Sequence, residues 1–299
     1  MEHLSPSTFA QTLGASESAR LSFEPARGGV LSWNTHAPSG RLSFRLLRAR
    51  QPASEWMDYA QWQPTGAKSF SPEHEGTRVE VEVITSAQPF DGIEARARDV
   101  HFELLAFSSP VRCRPSLPYC RDAMILDVPP RSQYVQGFNE RGWCSPASLS
   151  MLHAYHGIEA GVAETAREVF DRAYNGTGNW SFNVAYSGRL GLRGVVAHLR
   201  NLDHAARLIE RNLPIALSYS WRGGELPGAP LEQSDGHLVV LCGFTGSGDC
   251  AVNDPAAPNV RVVYPRSALE RIWQRNDGIA YVVAPAGIEY ADVLASGRP

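Results

Sequence analysis

Arg141-Gly-Trp-Cys-Ser-Pro-Ala-Ser-Leu-Ser-Met-Leu-His-Ala-Tyr-His-Gly157 is the stretch whose reading decides the fold. Pro146 fits only the first turn of a helix, and Gly157 suits the position just past a helix end. Ser148, Met151, Leu152 and Tyr155 recur at i, i+3, i+4 and i+7. The spacing predicts a short, half-buried helix over 144–156. Cys144 heads its first turn, where unpaired backbone N–H groups and the positive end of the macrodipole favour a thiolate. Most free cysteines are instead small buried hydrophobes, and Cys144 taken alone fits either reading.

A nucleophilic thiol needs a base to take its proton and a third group to orient that base. Among the nine histidines, His237 stands out. Asp235-Gly236 precedes it and Leu-Val-Val-Leu-Cys-Gly-Phe244 follows, which places the imidazole at the first position of a buried strand. After the turn Thr245-Gly-Ser-Gly-Asp249 the chain returns as Cys250-Ala-Val-Asn-Asp-Pro255. If these strands pair around that turn, a register of odd residue sum puts His237 and Asp254 on one face, within reach of each other. The plainer alternative is a hairpin end with a solvated aspartate and a surface histidine.

The texture differs on the two sides of the helix. From 21 to 107 the chain is short alternating runs such as Arg78-Val-Glu-Val-Glu-Val-Ile84, punctuated by Gly28-Gly29, Pro38-Ser-Gly40 and Gly76-Thr77. That pattern predicts an all-β, antiparallel sandwich domain. Residues 1–20 read as a tail, and 108–126, with its prolines, as a linker that lets two domains separate. Residues 127–299 form the second domain. In it, helical patterns over 144–156, 161–174, 191–199 and 202–212 precede strand-like runs over 214–219, 237–244, 250–253, 261–264 and 279–284. Helices early and an antiparallel sheet late is an α+β arrangement. Trp33, Trp56, Tyr59 and Trp62 make the sandwich a candidate platform for a carbohydrate or protein ligand, although core packing and edge cover explain them better.

Five segments together carry a resemblance: Val128-Pro-Pro-Arg-Ser-Gln133, Trp143-Cys-Ser-Pro-Ala-Ser148, Gly176-Thr-Gly-Asn-Trp-Ser-Phe-Asn183, Asp235-Gly-His-Leu-Val-Val240 and Val252-Asn-Asp-Pro255. They resemble the papain-like superfamily, and more narrowly bacterial cysteine-peptidase family 39, related to the peptidases that process bacteriocin leaders after a double glycine. The resemblance covers about 127 to the C-terminus and leaves the N-terminal domain outside. It implies a papain-like fold and a Cys144–His237 thiolate–imidazolium pair oriented by Asp254. It also implies a glutamine donating to the oxyanion. Gln133 matches the family position, and Gln136 competes because the interval to Cys144 is longer than usual. Trp143, Asn179 and Trp180 are the expected substrate-binding residues, with 176–183 as a loop beside the cleft; the alternative is a structural loop in which Asn179 and Asn183 satisfy their own backbone.

Composition bounds the rest. The 299 residues are 43% hydrophobic and 20% charged, with net charge −3, which gives no electrostatic reason to expect nucleic acid or an anionic membrane as partner. Neither a secretory leader nor a membrane-spanning run is legible, so the expected location is cytoplasmic unless a leader has been removed. Five cysteines at irregular spacing argue against a disulfide framework, although Cys113 with Cys120, or Cys242 with Cys250, are close enough in sequence to pair. His153 and His156 have ligand spacing but nothing to complete a metal set, and no phosphate loop exists, so no metal or cofactor is expected. Ser220-Trp-Arg-Gly-Gly224 reads as a flap between strands. The expected function is hydrolysis of a peptide or related amide through an acyl-enzyme. The competing readings are acyl transfer by the same triad and a non-catalytic binding domain.

Overall fold

A computed structural model describes residues 8–64, 66–98, 100–117, 122–138, 142–288, 290 and 294. Its contacts divide the chain into two compact units. One comprises 1–110, 167–196 and 285–299; the other comprises 111–166 and 197–284.

In the first unit, alternation of apolar and polar residues produces ten strands: β1 (Thr8–Ser16), β2 (Ser18–Asn34), β3 (Gly40–Arg48), β4 (Gln51–Pro52), β5 (Met57–Gln63), β6 (Gly66–Ser69), β7 (Glu73–His74), β8 (Thr77–Glu80), β9 (Val83–Arg98) and β10 (Phe102–Ser108). The expected tail is therefore strand from Thr8 onward. The expected sandwich is one continuously paired antiparallel sheet, in the order β1-β10-β2-β9-β3-β5-β6. Its two long strands, β2 and β9, pair along their length and are bent by register shifts around Ser22–Gly28. Residues from both ends of the sheet consequently share one core, including Leu21, Trp33, Phe44, Tyr59, Trp62, Ile93 and Phe107. Trp33, Tyr59 and Trp62 are spent on that core and offer no open platform. The run read as one strand over 78–84 breaks at Val81, whose φ of 57° turns the chain between β8 and β9.

The first half of β2 alternates buried and exposed residues, whereas 29–34 are buried on both faces. The reason is α3 (Trp180–Arg189), which packs across β2. Phe182 enters the sheet's core, and Gly188 lies so close that a Cβ there would meet Asn34 Cβ at 2.7 Å. Of the loop expected over 176–183, the part up to the cap Asn179 is non-helical and the rest is the first turn of this helix.

The second unit surrounds α1 (Cys144–Tyr155). Residues 144–153 are buried throughout, so the helix is central rather than half-buried. One side faces β13 (Ile215–Trp221) and β14 (Ser234–Phe244), and Trp143 and Ala147 pack on Val162 and Ala166 of α2 (Val162–Val169). With β11 (Met124–Ile125), β15 (Cys250–Asn253), β16 (Arg261–Tyr264) and β17 (Ile279–Pro285), the antiparallel pairing runs β17-β13-β14-β15-β16, and β11 adds to β14. Gly243 is required there, because a Cβ would meet the Met124 carbonyl at 1.9 Å. The run at 191–199, expected to be helical, is β12 (Leu192–His198): Val195-Val-Ala overrides a weak helical period. α4 (Leu202–Ile209) falls within its expected span, and α5 (Arg266–Gln274) was not anticipated. The chain passes from the first unit to the second near 110, and neither unit is one continuous stretch. Among the described residues no helix is long and apolar enough to cross a membrane. Cys120, the partner considered for Cys113, lies outside the described residues.

Candidate active site

Cys144 is the first residue of α1, after Trp143 at the N-cap, which supplies no side-chain cap. No acidic residue occupies the first turn, so nothing neutralises the positive helix end beside the sulfur. Gly157, with φ of 81°, ends the helix as its sequence indicates.

The β14–β15 hairpin supplies the other two groups. Val240 pairs with Asn253, which places Asp254 across from Val239 and diagonally from His237 on the same face. His237 Nε2 lies 2.8 Å from Asp254 Oδ1, and both side chains are buried. Asp254 Oδ1 also accepts from the Ala256 N–H (2.9 Å), and Oδ2 accepts from the Tyr264 hydroxyl (2.6 Å). Burial pushes this carboxyl up, but the His237 contact and charge, together with Tyr264 and Ala256, hold it below its ordinary value.

With Nε2 on Asp254, the other ring nitrogen is left for the sulfur. Burial pushes the Cys144 thiol up. The hydrogen bond and charge of His237, with backbone bonds from Leu238 and Ser145, outweigh that and leave it below an ordinary thiol. His237 moves the other way: burial disfavours its charge, and Asp254 and Cys144 more than restore it, so the imidazole is raised. Each charge sustains the other. Cys242 and Cys250 form the contrast: both are buried free thiols, with burial pushing Cys242 up to about 12 and Cys250 well above the thiol range. They do not pair with each other. Arg261 near Cys242 and Arg266 near Cys250 do not offset burial, whereas the hydrogen bond and charge of His237 do so at Cys144.

His237 is walled by Tyr219, its cross-strand partner, and by Trp221, with ring centroids 6.2 and 5.6 Å away. Among the described residues, the buried Tyr219 hydroxyl and Trp221 Nε1 have no hydrogen-bond partner. Trp221, expected in a flap, is instead a buried wall of the site at the end of β13. Sequence reading missed Tyr219, Trp221 and Tyr264 as site residues. The polar-aromatic alternation of Ser218-Tyr-Ser-Trp221, in a strand pairing with His237, was the available signal for the first two.

Gln133 is buried, its backbone N–H donates to the Pro255 carbonyl (2.9 Å), and among the described residues its side-chain Oε1 has no partner. Gln136 is exposed. Trp143 is buried against Val135, Ala147, Val162 and Ala166, with the Phe138 ring 5.3 Å away, so it is core rather than an open substrate contact. Asn179 and Trp180 belong to the first unit, whereas Cys144, His237 and Asp254 belong to the second. Asn179 is the N-cap of α3, accepting from the Phe182 N–H (3.2 Å) and donating to Asp171 (2.9 Å). Its side chain is occupied by structure. The Trp180 N–H donates to Glu82 (3.1 Å). On α1, the His156 ring bonds the Val283 carbonyl at Nε2 (2.9 Å), and burial pushes His153 down to about 3.

A family model described as the Peptidase_C39 like family matches residues 125–281, just over half of the chain. No curated protein matches. Among solved structures, the chain is similar to one described as a C39-like peptidase from Bacillus anthracis, at 17% identity, covering 55% of this chain and 98% of that one with a TM-score of 0.42. It is also similar to a double glycine motif protease from an AMS/PCAT transporter, solved in complex with the leader peptide, at 17% identity, covering 56% of this chain and 100% of that one with a TM-score of 0.34.

Proposed function

This chain belongs to the Peptidase_C39 like family of cysteine peptidases, and we propose that it cleaves a peptide bond with Cys144 as nucleophile, His237 as acid and base, and Asp254 as orienting carboxylate. The observation that carries this reading is the imidazole held between the sulfur at a helix start and a buried carboxylate.

The Cys144 thiolate attacks the substrate carbonyl carbon, and the carbonyl oxygen takes the negative charge. The Cys144 N–H, uncapped at the helix start, and the Gln133 amide are the donors for that oxyanion. Burial and the tie to Pro255 favour Gln133 over the exposed Gln136. As the C–N bond breaks, the His237 imidazolium gives its proton to the departing amine, leaving a thioester on Cys144. Neutral His237 then takes a proton from water, whose oxygen attacks the thioester carbon. Collapse releases the carboxylate product and restores the thiolate–imidazolium pair. Asp254 keeps the imidazole in one tautomer and stabilises its charged form.

The test is the pH dependence of iodoacetamide alkylation at Cys144 in the full chain. Because His237 lowers the thiol, alkylation should be well under way below the ordinary thiol value of about 8.5. In His237→Ala the profile should move up toward that value. A wild-type profile of an ordinary thiol would remove the ion pair and return the chain to the binding-domain reading.

A further inference from the structure

The Asp254 carboxylate makes contacts at both oxygens, and its second oxygen leads to a residue outside the proposed triad. Tyr264 ends β16, lies across from Cys250 in the register with β15, and is fully buried. Its hydroxyl donates to Asp254 Oδ2 at 2.6 Å, while Oδ1 takes the His237 ring and the Ala256 N–H. Oδ2 has no other donor among the described residues. The terminal torsion of an aspartate is soft and roughly two-fold. Contacts at Oδ1 alone would leave the carboxylate free to rock about that oxygen. A donor at Oδ2 fixes the plane and prevents a buried charge from standing unpaired.

We propose that Tyr264 is a positioning residue of the catalytic site, holding Oδ2 of Asp254 so that Oδ1 stays aligned on His237. The proposal rests on the triad reading given above. The titratable groups around this carboxylate are His237 on β14, Tyr264 on β16 and Tyr219 on β13, with Cys250 beside Tyr219 and Cys144 reached through the imidazole. Of the two tyrosines, only Tyr264 makes a hydroxyl contact to Asp254; among the described residues the Tyr219 hydroxyl has no partner.

The sign of the effect separates positioning from simple electrostatics. Removing a donor from a carboxylate whose geometry is unchanged makes it more basic and would raise His237. Removing a donor that sets the geometry weakens the Oδ1 contact and lowers His237. The experiment is an NMR titration of the nitrogen-labelled His237 ring in the full chain, with iodoacetamide alkylation of Cys144 at fixed pH measured alongside. In Tyr264→Phe the ring midpoint should fall by about one pH unit, a tenfold shift, and alkylation below neutrality should slow. Should Tyr264→Phe fail to fold, 4-methylphenylalanine at 264 fills the hydroxyl's volume without donating and gives the same reading. In Asp254→Ala, adding Tyr264→Phe should move the midpoint no further, since the residue acts through the carboxylate. An unchanged or raised midpoint in Tyr264→Phe, or a second drop in the Asp254→Ala background, overturns the proposal. Failure of the triad reading is distinguishable, because the wild-type alkylation profile alone would then be that of an ordinary thiol.

Discussion

Two buried acids, one in each unit, meet opposite electrostatic fates. Asp254 lies against an imidazole that can carry charge and is held below its ordinary value. Glu82, in the turn between β8 and β9, is 5% exposed. Its Oε1 accepts the Trp180 N–H, and among the described residues its Oε2 has no hydrogen-bond partner. Burial, with the Asp171 carboxylate nearby, pushes Glu82 up to about 8. Around it Asp171 takes the N–H groups of Ser69, Ala173 and Tyr174 and the Asn179 amide, and the Tyr59 hydroxyl meets the Glu82 carbonyl and Ser181. That network fixes the start of α3 against the sheet. Burial therefore does not determine the state of an acid; a counter-charge within hydrogen-bond distance does. The same burial serves chemistry beside His237 and architecture beside Trp180.

The largest expected effect tests the architectural side. A chain starting at Ala123 keeps every proposed catalytic residue but loses β1–β10, and with them the partners of Phe182, Ser181 and Trp180. We expect α3 and its flanks to unfold, read as rapid proteolysis and hydrogen exchange throughout 167–196. Retention of full protection there would mean that the strands do not hold α3.

Cys144→Ala should abolish turnover, a loss of about 10^3-fold or more, while thermal stability shifts by only about 1 kcal/mol because little buried volume is removed. Undiminished turnover would transfer the nucleophile role elsewhere. Asp254→Asn comes next. An amide can hold the imidazole but brings no charge to its protonated form, so kcat/KM should fall roughly 5- to 150-fold, about 1–3 kcal/mol, with the fold retained by circular dichroism. A variant with wild-type kcat/KM would place Asp254 in the same structural class as Glu82.

Glu82→Gln comes last because its effect is on stability alone and is confined by pH. A folded value near 8 against an unfolded value near 4.5 means that the folded state holds the extra proton between them. The stability contribution is thus present below about pH 4.5 and lost as pH rises through about 8. Glutamine resembles the protonated acid and cannot ionise. The variant should match wild type near pH 4 and exceed it above pH 8 by up to a few kcal/mol, measured by urea unfolding at both pH values. Parallel curves for the two proteins would show that Glu82 is paired in solution.

Legibility followed sequence separation. Helix α1 and its terminating Gly157 are announced by residues within one or two turns, and β15 and β16 match their expected spans because short apolar runs sit between strong turn signals. The sequence offered the contact of His237 with Asp254 only on condition of an odd register, and that register is reached through the shift between Leu241 and Gly243, since the pairs next to the turn alone would put the two residues on opposite faces. α3 was readable only at its cap: Asn179 accepts from the N–H three residues on, but Ser, Asn, Tyr and Gly in the helix give no apolar stripe toward solvent-exposed logic. That helix is buried on several faces by β2, so its periodicity carries no signal. Trp180 and Asn179 were read as part of a loop, whereas Trp180 begins α3 and Asn179 caps it within the first unit.

By itself, then, the sequence determined the local devices: a cysteine at a helix start, a histidine where a strand becomes buried, three residues after it begins, a carboxylate at the end of the next strand, and alternating strands before residue 110. Each depends on backbone geometry and on residues a few positions apart. Only the tertiary structure decided that the first ten strands pair as a single bent sheet, that 167–196 folds with them, and that Tyr264 reaches Asp254 while Trp221 and Tyr219 wall His237. The reason is physical. Periodicity reports which face of an element is buried, but the identity of what covers that face is set by contacts between distant segments, which no local pattern encodes.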